Sequence, residues 1–419
     1  MKKVIELGDK KLAIFNNSNN WIISSDDNSI NSFDDKDEIV KQDLNFLPKT
    51  FTLHITNMCN MNCSYCFARA CCDENKVMDL GTAYKIAKLI QRTPGKKICI
   101  DFHGGEPLTQ KKLICDMVEI FENTIPEKDI EYYIQTNATL LDDEIVQFMK
   151  EKKFIVGISL DGPEEINDRN RVFNNDKGSF SEIMKGVGCL KKWDVPFSVL
   201  TVVTDPEDLV KIYEFYCQVG IDSMQFMPVM AQGRAKDKGM CISDWQKYIE
   251  QENIVFNRIL DSCKEGKYKI LSPALGIIKK IVYDDMNYIC YRNPCGAGLD
   301  ILSIDADGYI YPCDAMSGID GIENVVLGNV NDIEDLRDIT GCKNYKNCVT
   351  CKKIHIPKCE SCFCKEICCG GCKSDVYNAY GVFDRETPLC SYYEGMIKSY
   401  FFALANRKED VIKFIKQKE

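Results

Sequence analysis

Between residues 50 and 230 the chain alternates short apolar runs with stretches of helical spacing, and that rhythm restricts it to parallel strands covered by helices. The runs are FTLHI at 51–55, ICIDFH at 98–103, IEYYIQ at 130–135, FIVGISL at 154–160, FSVLTVV at 197–203 and SMQFMPV at 223–229. Between them DLGTAYKIAKLIQR, DDEIVQFMKEKK and PEDLVKIYEFYCQVG repeat their apolar residues at helical spacing and open on Asp or Pro. An open doubly wound sheet and a curved, incomplete barrel both fit. In either, chemistry sits at the carboxyl ends of the strands, so unusual residues should follow the apolar runs. They do: Cys59 to Cys66 follow the first run, His103-Gly104-Gly105-Glu106-Pro107 the second, Gln135-Thr136-Asn137 the third and Ser159-Leu160-Asp161-Gly162 the fourth.

Outside that period the sequence divides into four further pieces. Residues 1–48 hold VIEL, KLAIF and NWIIS, which read as a small β-containing element suited to docking a terminus or to accepting a peptide strand. The barrel-like part spans 49–235, a helical bridge 236–289, a cysteine-dense region 290–395 and a last helix 396–419.

The net charge of −10, from 63 acidic and 53 basic side chains, gives no field for a nucleic acid or an anionic membrane. The amino terminus has charges where a signal peptide needs an apolar run, so a cytoplasmic protein with no membrane or nucleic-acid partner is expected. A reducing compartment keeps thiols free. The 24 cysteines, against three histidines, therefore point to iron-sulfur clusters or zinc rather than disulfides.

Cys59, Cys63 and Cys66 stand in one short loop at C-x3-C-x2-C spacing, followed by Phe67. Three thiolates on a four-iron cube leave one iron open to a chelating ligand. Structural zinc and inert thiols are the alternatives. The loop resembles the signature of the radical S-adenosylmethionine (radical SAM) superfamily, and accessory motifs recur in order. The resemblance implies an incomplete (β/α)6 barrel and an open iron that binds S-adenosylmethionine, whose reductive cleavage yields a 5'-deoxyadenosyl radical. It also implies cofactor contacts from Phe67, from Gly104, Gly105, Glu106 and Pro107, from Ser159, Asp161 and Arg171, and from Gln135 and Asn137. Family members more often have Gly where Ala138 stands.

From Cys359 the chain reads C-x2-C-x5-C-x3-C through Cys362, Cys368 and Cys372, then reaches Cys390; Cys290, Cys295 and Cys313 lie upstream. These spacings resemble the SPASM extension, which holds two auxiliary 4Fe-4S clusters and would bring the total to three. By that resemblance Cys290, Cys295, Cys313 and Cys372 hold the first, and Cys359, Cys362, Cys368 and Cys390 the second. Cys290 is the ligand that some members lack, leaving an exchangeable iron. Cys99, Cys115, Cys189 and Cys217 read as small core residues. Cys342, Cys348, Cys351, Cys364 and Cys369 depart from the pattern; with His355 some of them would suit zinc. Asp314, after Cys313, matches an acidic residue assigned as a proton acceptor in sulfatase-maturing members.

The combined resemblance is to maturases of ribosomally synthesised precursor peptides. It implies hydrogen abstraction from a peptide residue and an oxidative crosslink, a thioether from substrate cysteine, with a flavodoxin- or ferredoxin-type reductant. The rival expectation is a sulfatase maturase converting Cys or Ser to formylglycine. A non-catalytic iron-sulfur electron carrier is the alternative of another class.

Overall fold

The computed structural model describes residues 2–15, 18–34, 45–70, 76–285, 289–292, 294–318, 322–349 and 356–417. Strands β1 (Lys2–Leu7), β2 (Lys10–Phe15) and β3 (Trp21–Ser24) form an antiparallel sheet, and helix α1 (Asp27–Ser32) follows. Gly8 turns β1 into β2 with φ +75°, a conformation glycine adopts without strain.

The six apolar runs become β4 (Thr50–His54), β5 (Lys97–His103), β6 (Asp129–Thr136), β7 (Ile155–Ser159), β8 (Phe197–Val203) and β9 (Ser223–Pro228), all parallel. The intervening helices are α2 (Leu80–Gln91), α3 (Lys111–Thr124), α4 (Asp143–Glu151), α5 (Glu164–Asn167), α6 (Phe180–Lys192) and α7 (Leu209–Gln218). Asp79 and Asp142 cap α2 and α4 by accepting from the backbone N–H of Thr82 and Ile145. Ile98, Ile100 and Phe102 are buried under the helices, while Cys99, Asp101 and His103, on the opposite face of β5, turn into the barrel.

The parallel sheet runs past these six strands at both ends. After α8 (Gly233–Asp237) and α9 (Trp245–Lys264), the two-residue β10 (Ile270–Leu271) pairs parallel with β9 and leads into α10 (Ser272–Tyr283). From the cysteine-dense region β11 (Ile301–Ile304) pairs parallel with β4, and β12 (Tyr309–Tyr311) and β13 (Gly328–Asn329) continue antiparallel. The order is β10-β9-β8-β7-β6-β5-β4-β11-β12-β13, with no pairing between its two edges among the described residues. The barrel is therefore open, as the resemblance implies, and its sheet crosses both the bridge and the cysteine-rich boundary.

Short helices α11 (Lys343–Val349), α12 (Pro357–Glu360), α13 (Lys365–Cys368) and α14 (Lys373–Tyr380) carry the cysteine-rich region. Two longer ones, α15 (Cys390–Asn406) and α16 (Lys408–Lys416), close the chain against α9. The amino-terminal sheet docks on them. The Trp21 indole donates to Ile281 O at 3.0 Å, its ring meets Phe401 edge-on at 5.4 Å, and Lys10 Nζ donates to Ala405 O. No helix of the described residues is long and apolar enough to cross a membrane.

Candidate cluster and cofactor site

The loop after β4 is fixed by hydrogen bonds to the segment after α5. Asn62 N donates to Val172 O at 2.8 Å, Ser64 N to Asn170 O at 3.0 Å, and Asn174 Nδ2 to Cys59 O at 3.2 Å. From the far side of the barrel Arg234 clamps the same loop: its backbone N–H donates to Cys66 O at 3.0 Å, its Nε to Cys63 O at 2.8 Å and its Nη1 to Ala70 O at 2.9 Å. Gly233 permits this, since a Cβ there would lie 2.3 Å from Phe67 O and 2.4 Å from Cys66 O. Arg234 escaped the sequence reading, although it follows the sixth apolar run just as the other unusual residues follow theirs.

Gly104 and Gly105 are set by the same crowding. A Cβ on Gly104 would sit 2.3 Å from Thr56 O and one on Gly105 2.2 Å from Met58 O, while Gly105 N and Glu106 N donate to those two carbonyls at 2.8 and 2.7 Å. The close approach shown is thus to the cysteine loop itself. Glu106 is buried; its carboxylate accepts from Leu108 N at 3.0 Å, Thr136 Oγ1 at 2.6 Å and Asn137 N at 2.7 Å, joining the ends of β5 and β6. Pro107, also buried, begins the short 3-10 turn entering α3. Asn137 Nδ2 reaches Asn60 Oδ1 at 2.9 Å and lies 4.0 Å from Cys59 Sγ. Ala138 holds φ +62°, in the left-handed region that favours glycine.

On β6 and β7, Gln135 Nε2 donates to Ser159 Oγ at 2.9 Å inside the barrel. Asp161 is buried, accepting from Tyr65 Oη and, at 2.9 Å, from Val202 N; burial raises its pKa. Arg171 Nη1 donates to the same Tyr65 hydroxyl at 3.0 Å, so Tyr65 ties the cysteine loop to both residues. Arg171 is therefore no surface cation, and its buried Nε has no partner among the described residues.

Burial, with the Glu106 carboxylate nearby, pushes the Cys59 thiol up to about 12, and burial raises Cys63 as well. A loop of three thiols, of which Cys59 and Cys63 resist ionising alone, suits a cationic metal centre, which supplies the charge that burial withholds. The orphaned guanidinium nitrogen beside them suits a carboxylate such as the methionyl group of the cofactor. The residues present fit both groups.

Phe67 lies edge-on to His103 at 6.4 Å, and His103 faces His54 at 5.1 Å. His54 bonds Ser317 Oγ at 3.2 Å; burial and His103 hold its pKa well below the usual imidazole range, so it is neutral. Asp101, burial-raised to about 6, lies within electrostatic reach of His103 and of Asp314. These polar groups thus gather where the barrel meets the turn after Cys313.

The structure brings both further cysteine sets together. Cys313 and Cys372 lie in one another's electrostatic field and in that of Cys295 and Cys290; Cys295 is buried and Cys290 exposed. Cys359, Cys362, Cys368 and Cys390 line one pocket with Cys364, Tyr393 and Glu394. Cys364 donates to Cys362 and holds its thiol down at about 7. Cys342 accepts from Tyr345 N at 3.2 Å, and Cys348 is buried against Met316. Cys351 and His355 of the considered zinc site, and Cys71 and Cys72 after the first loop, fall outside the described residues. The expectation that Cys99, Cys115, Cys189 and Cys217 are core residues is corrected. The first three are half-buried and Cys217 is exposed, because each lies off the most buried stripe of its strand or helix.

Residues 53–216 match the model of the radical SAM superfamily, and residues 295–363 that of an iron-sulfur cluster-binding domain, SPASM. An uncharacterized protein of Methanocaldococcus jannaschii is 34% identical over 286 residues, 68% of this chain and 89% of its own. A cysteine-type anaerobic sulfatase-maturating enzyme of Clostridium perfringens is 24% identical over 328 residues, 75% of this chain and 86% of its own. Among solved structures, native anSMEcpe with bound AdoMet and Cp18Cys peptide has a TM-score of 0.76 at 21% identity, covering 87% of this chain and 99% of that one. Streptococcus suis SuiB bound to precursor peptide SuiA has a TM-score of 0.60 at 17% identity, covering 81% and 75%.

Proposed function

We propose, from the premise that this chain belongs to the radical SAM superfamily and carries a SPASM domain, that it matures a ribosomally synthesised precursor peptide by closing a thioether from a substrate cysteine. Cys59, Cys63 and Cys66 would hold the cluster that takes S-adenosylmethionine. Arg171, through the nitrogen it leaves unpaired, would bind the methionyl carboxylate, with Gln135, Ser159 and Phe67 beside the cofactor. Cys290, Cys295, Cys313 and Cys372 would hold one auxiliary cluster and Cys359, Cys362, Cys368 and Cys390 the other. When bound, these groups supply an acceptor for a substrate hydrogen atom and a sink for the electron released as the crosslink closes. The chain's own part is to seat the peptide near the polar group of His54, His103 and Asp101, and to take the thiol proton on Asp314. A flavodoxin or ferredoxin of the cytoplasm would supply reducing electrons.

The observation that carries this reading is the exposure of Cys290 in a set whose other members lie inward. An exposed fourth ligand is the one that could yield its iron, and the corner it leaves would admit a substrate thiolate. Mass spectrometry of a co-expressed precursor peptide should record the loss of two hydrogens per link; an unchanged mass rejects crosslinking. The likeness to a sulfatase-maturating enzyme, with Asp314 in place, favours a second reading in which Cys or Ser becomes formylglycine. An aldehyde formed on a sulfatase-motif peptide would select it. An electron carrier that merely stores clusters predicts no 5'-deoxyadenosine on reduction with S-adenosylmethionine.

A further inference from the structure

Lys280, on α10, is 1% exposed, among the most buried side chains of the molecule. Its ammonium donates to Tyr291 O, to Ile367 O at 3.1 Å and to Cys369 Sγ at 3.0 Å. A buried cation is costly unless its donors are met, and three acceptors meet all three N–H bonds here. Two of the acceptors have telling neighbours in the chain. Tyr291 follows Cys290 and Ile367 precedes Cys368, so one amine joins the backbone carbonyls of residues adjacent in sequence to a cysteine of each proposed auxiliary set. Tyr393 stands in the same wall: its ring packs edge-on against Tyr291 at 6.2 Å, and its hydroxyl senses Cys372 of the first set and Cys368 of the second. Cys369, which belongs to neither set, is held in the left-handed conformation at φ 52°, and its thiol donates to Glu366 O at 3.3 Å. That strained turn presents the sulfur to the lysine.

We propose that Lys280 is a fixed positive charge shared by the two auxiliary clusters, a positioning residue that raises the reduction potential of both. The inference rests on the ligand sets proposed above. A four-thiolate cluster gains a negative charge on reduction, and a buried cation a few residues away stabilises the reduced form through a medium that screens poorly. Lys373, equally buried, donates instead to Cys348 O and to Val349 O at 3.3 Å, so its amine is held by the α11 backbone and not between the two sets.

The test is an EPR-monitored redox titration of the anaerobically reconstituted full chain, in a background with Cys59, Cys63 and Cys66 all changed to Ala so that only auxiliary clusters report. Lys280→Met and Lys280→Gln should lower both midpoint potentials at unchanged iron content, and Lys280→Arg should restore them. In a chain that keeps Cys59, Cys63 and Cys66, the first loop's cluster should titrate alike with and without Lys280→Met, serving as an internal control. Midpoints for the Met or Gln variant that coincide with the parent's overturn the lysine's role alone. Iron in the triple-Ala background that amounts to less than two clusters overturns the ligand sets instead.

Discussion

Glu106 sits in a pocket where three donors point at its two oxygens while burial raises its pKa. Glu106→Gln preserves size but turns one oxygen into a donor, which must then face Asn137 N–H or the group bonded to the other oxygen. Such a mismatch costs about 2 to 4 kcal/mol in a buried site. Chemical denaturation of the variant should register that loss; a change below about 0.5 kcal/mol would mean the carboxylate is dispensable for folding and acts elsewhere. The motif around Glu106 was legible because chemistry concentrates unusual residues after strands. Its division of labour was not. The sequence reading gives the two glycines to the cofactor, whereas Thr56 O and Met58 O occupy the space a Cβ would need, a fact about atoms some 50 positions apart in the chain.

The seam between α9 and α15 holds a second acid that sequence reading passed over. Glu252 lies on an amphipathic helix correctly expected from DWQKYIEQENIVFNRILDSCKEG and capped by Asp244, but on its inner face, 1% exposed. Tyr392 Oη donates to Oε2 at 3.1 Å, Oε1 has no partner among the described residues, and burial raises the acid to about 8. Because the folded value lies above the unfolded 4.5, the favourable contribution is complete below pH 4.5 and is lost as pH rises through about 8. Glu252→Gln should match the parent near pH 4 and exceed it by about 3 to 5 kcal/mol at pH 9. Equal pH-stability profiles for the two proteins would show that the seam admits water. Helical spacing marks which residues can face inward. It does not say that a glutamate among them will meet three tyrosines, Tyr248, Tyr392 and Tyr400.

Across the whole molecule, β11 carries the cysteine-rich region into the barrel's own sheet by pairing Ile301 to Ile304 with Thr50 to Leu53. Two family models match separate stretches, yet the hydrogen-bonded sheet joining them predicts one cooperative unit. All three tryptophans, Trp21, Trp193 and Trp245, lie outside residues 290–395. In anaerobic urea titration their fluorescence should therefore change together with the visible absorbance of the clusters; absorbance lost in an earlier, separate step would mean the sheet does not couple the two regions. The sequence by itself determined the six-strand period, the helix caps and the cysteine spacings, because each is local and fixed by side-chain alternation or by a few intervening residues. Only the tertiary structure decided that β11 lies beside β4, that Arg234 closes the loop from across the barrel, and that Lys280 stands between two sets of thiols. Those facts depend on which distant surfaces exclude water together, and no local pattern encodes that.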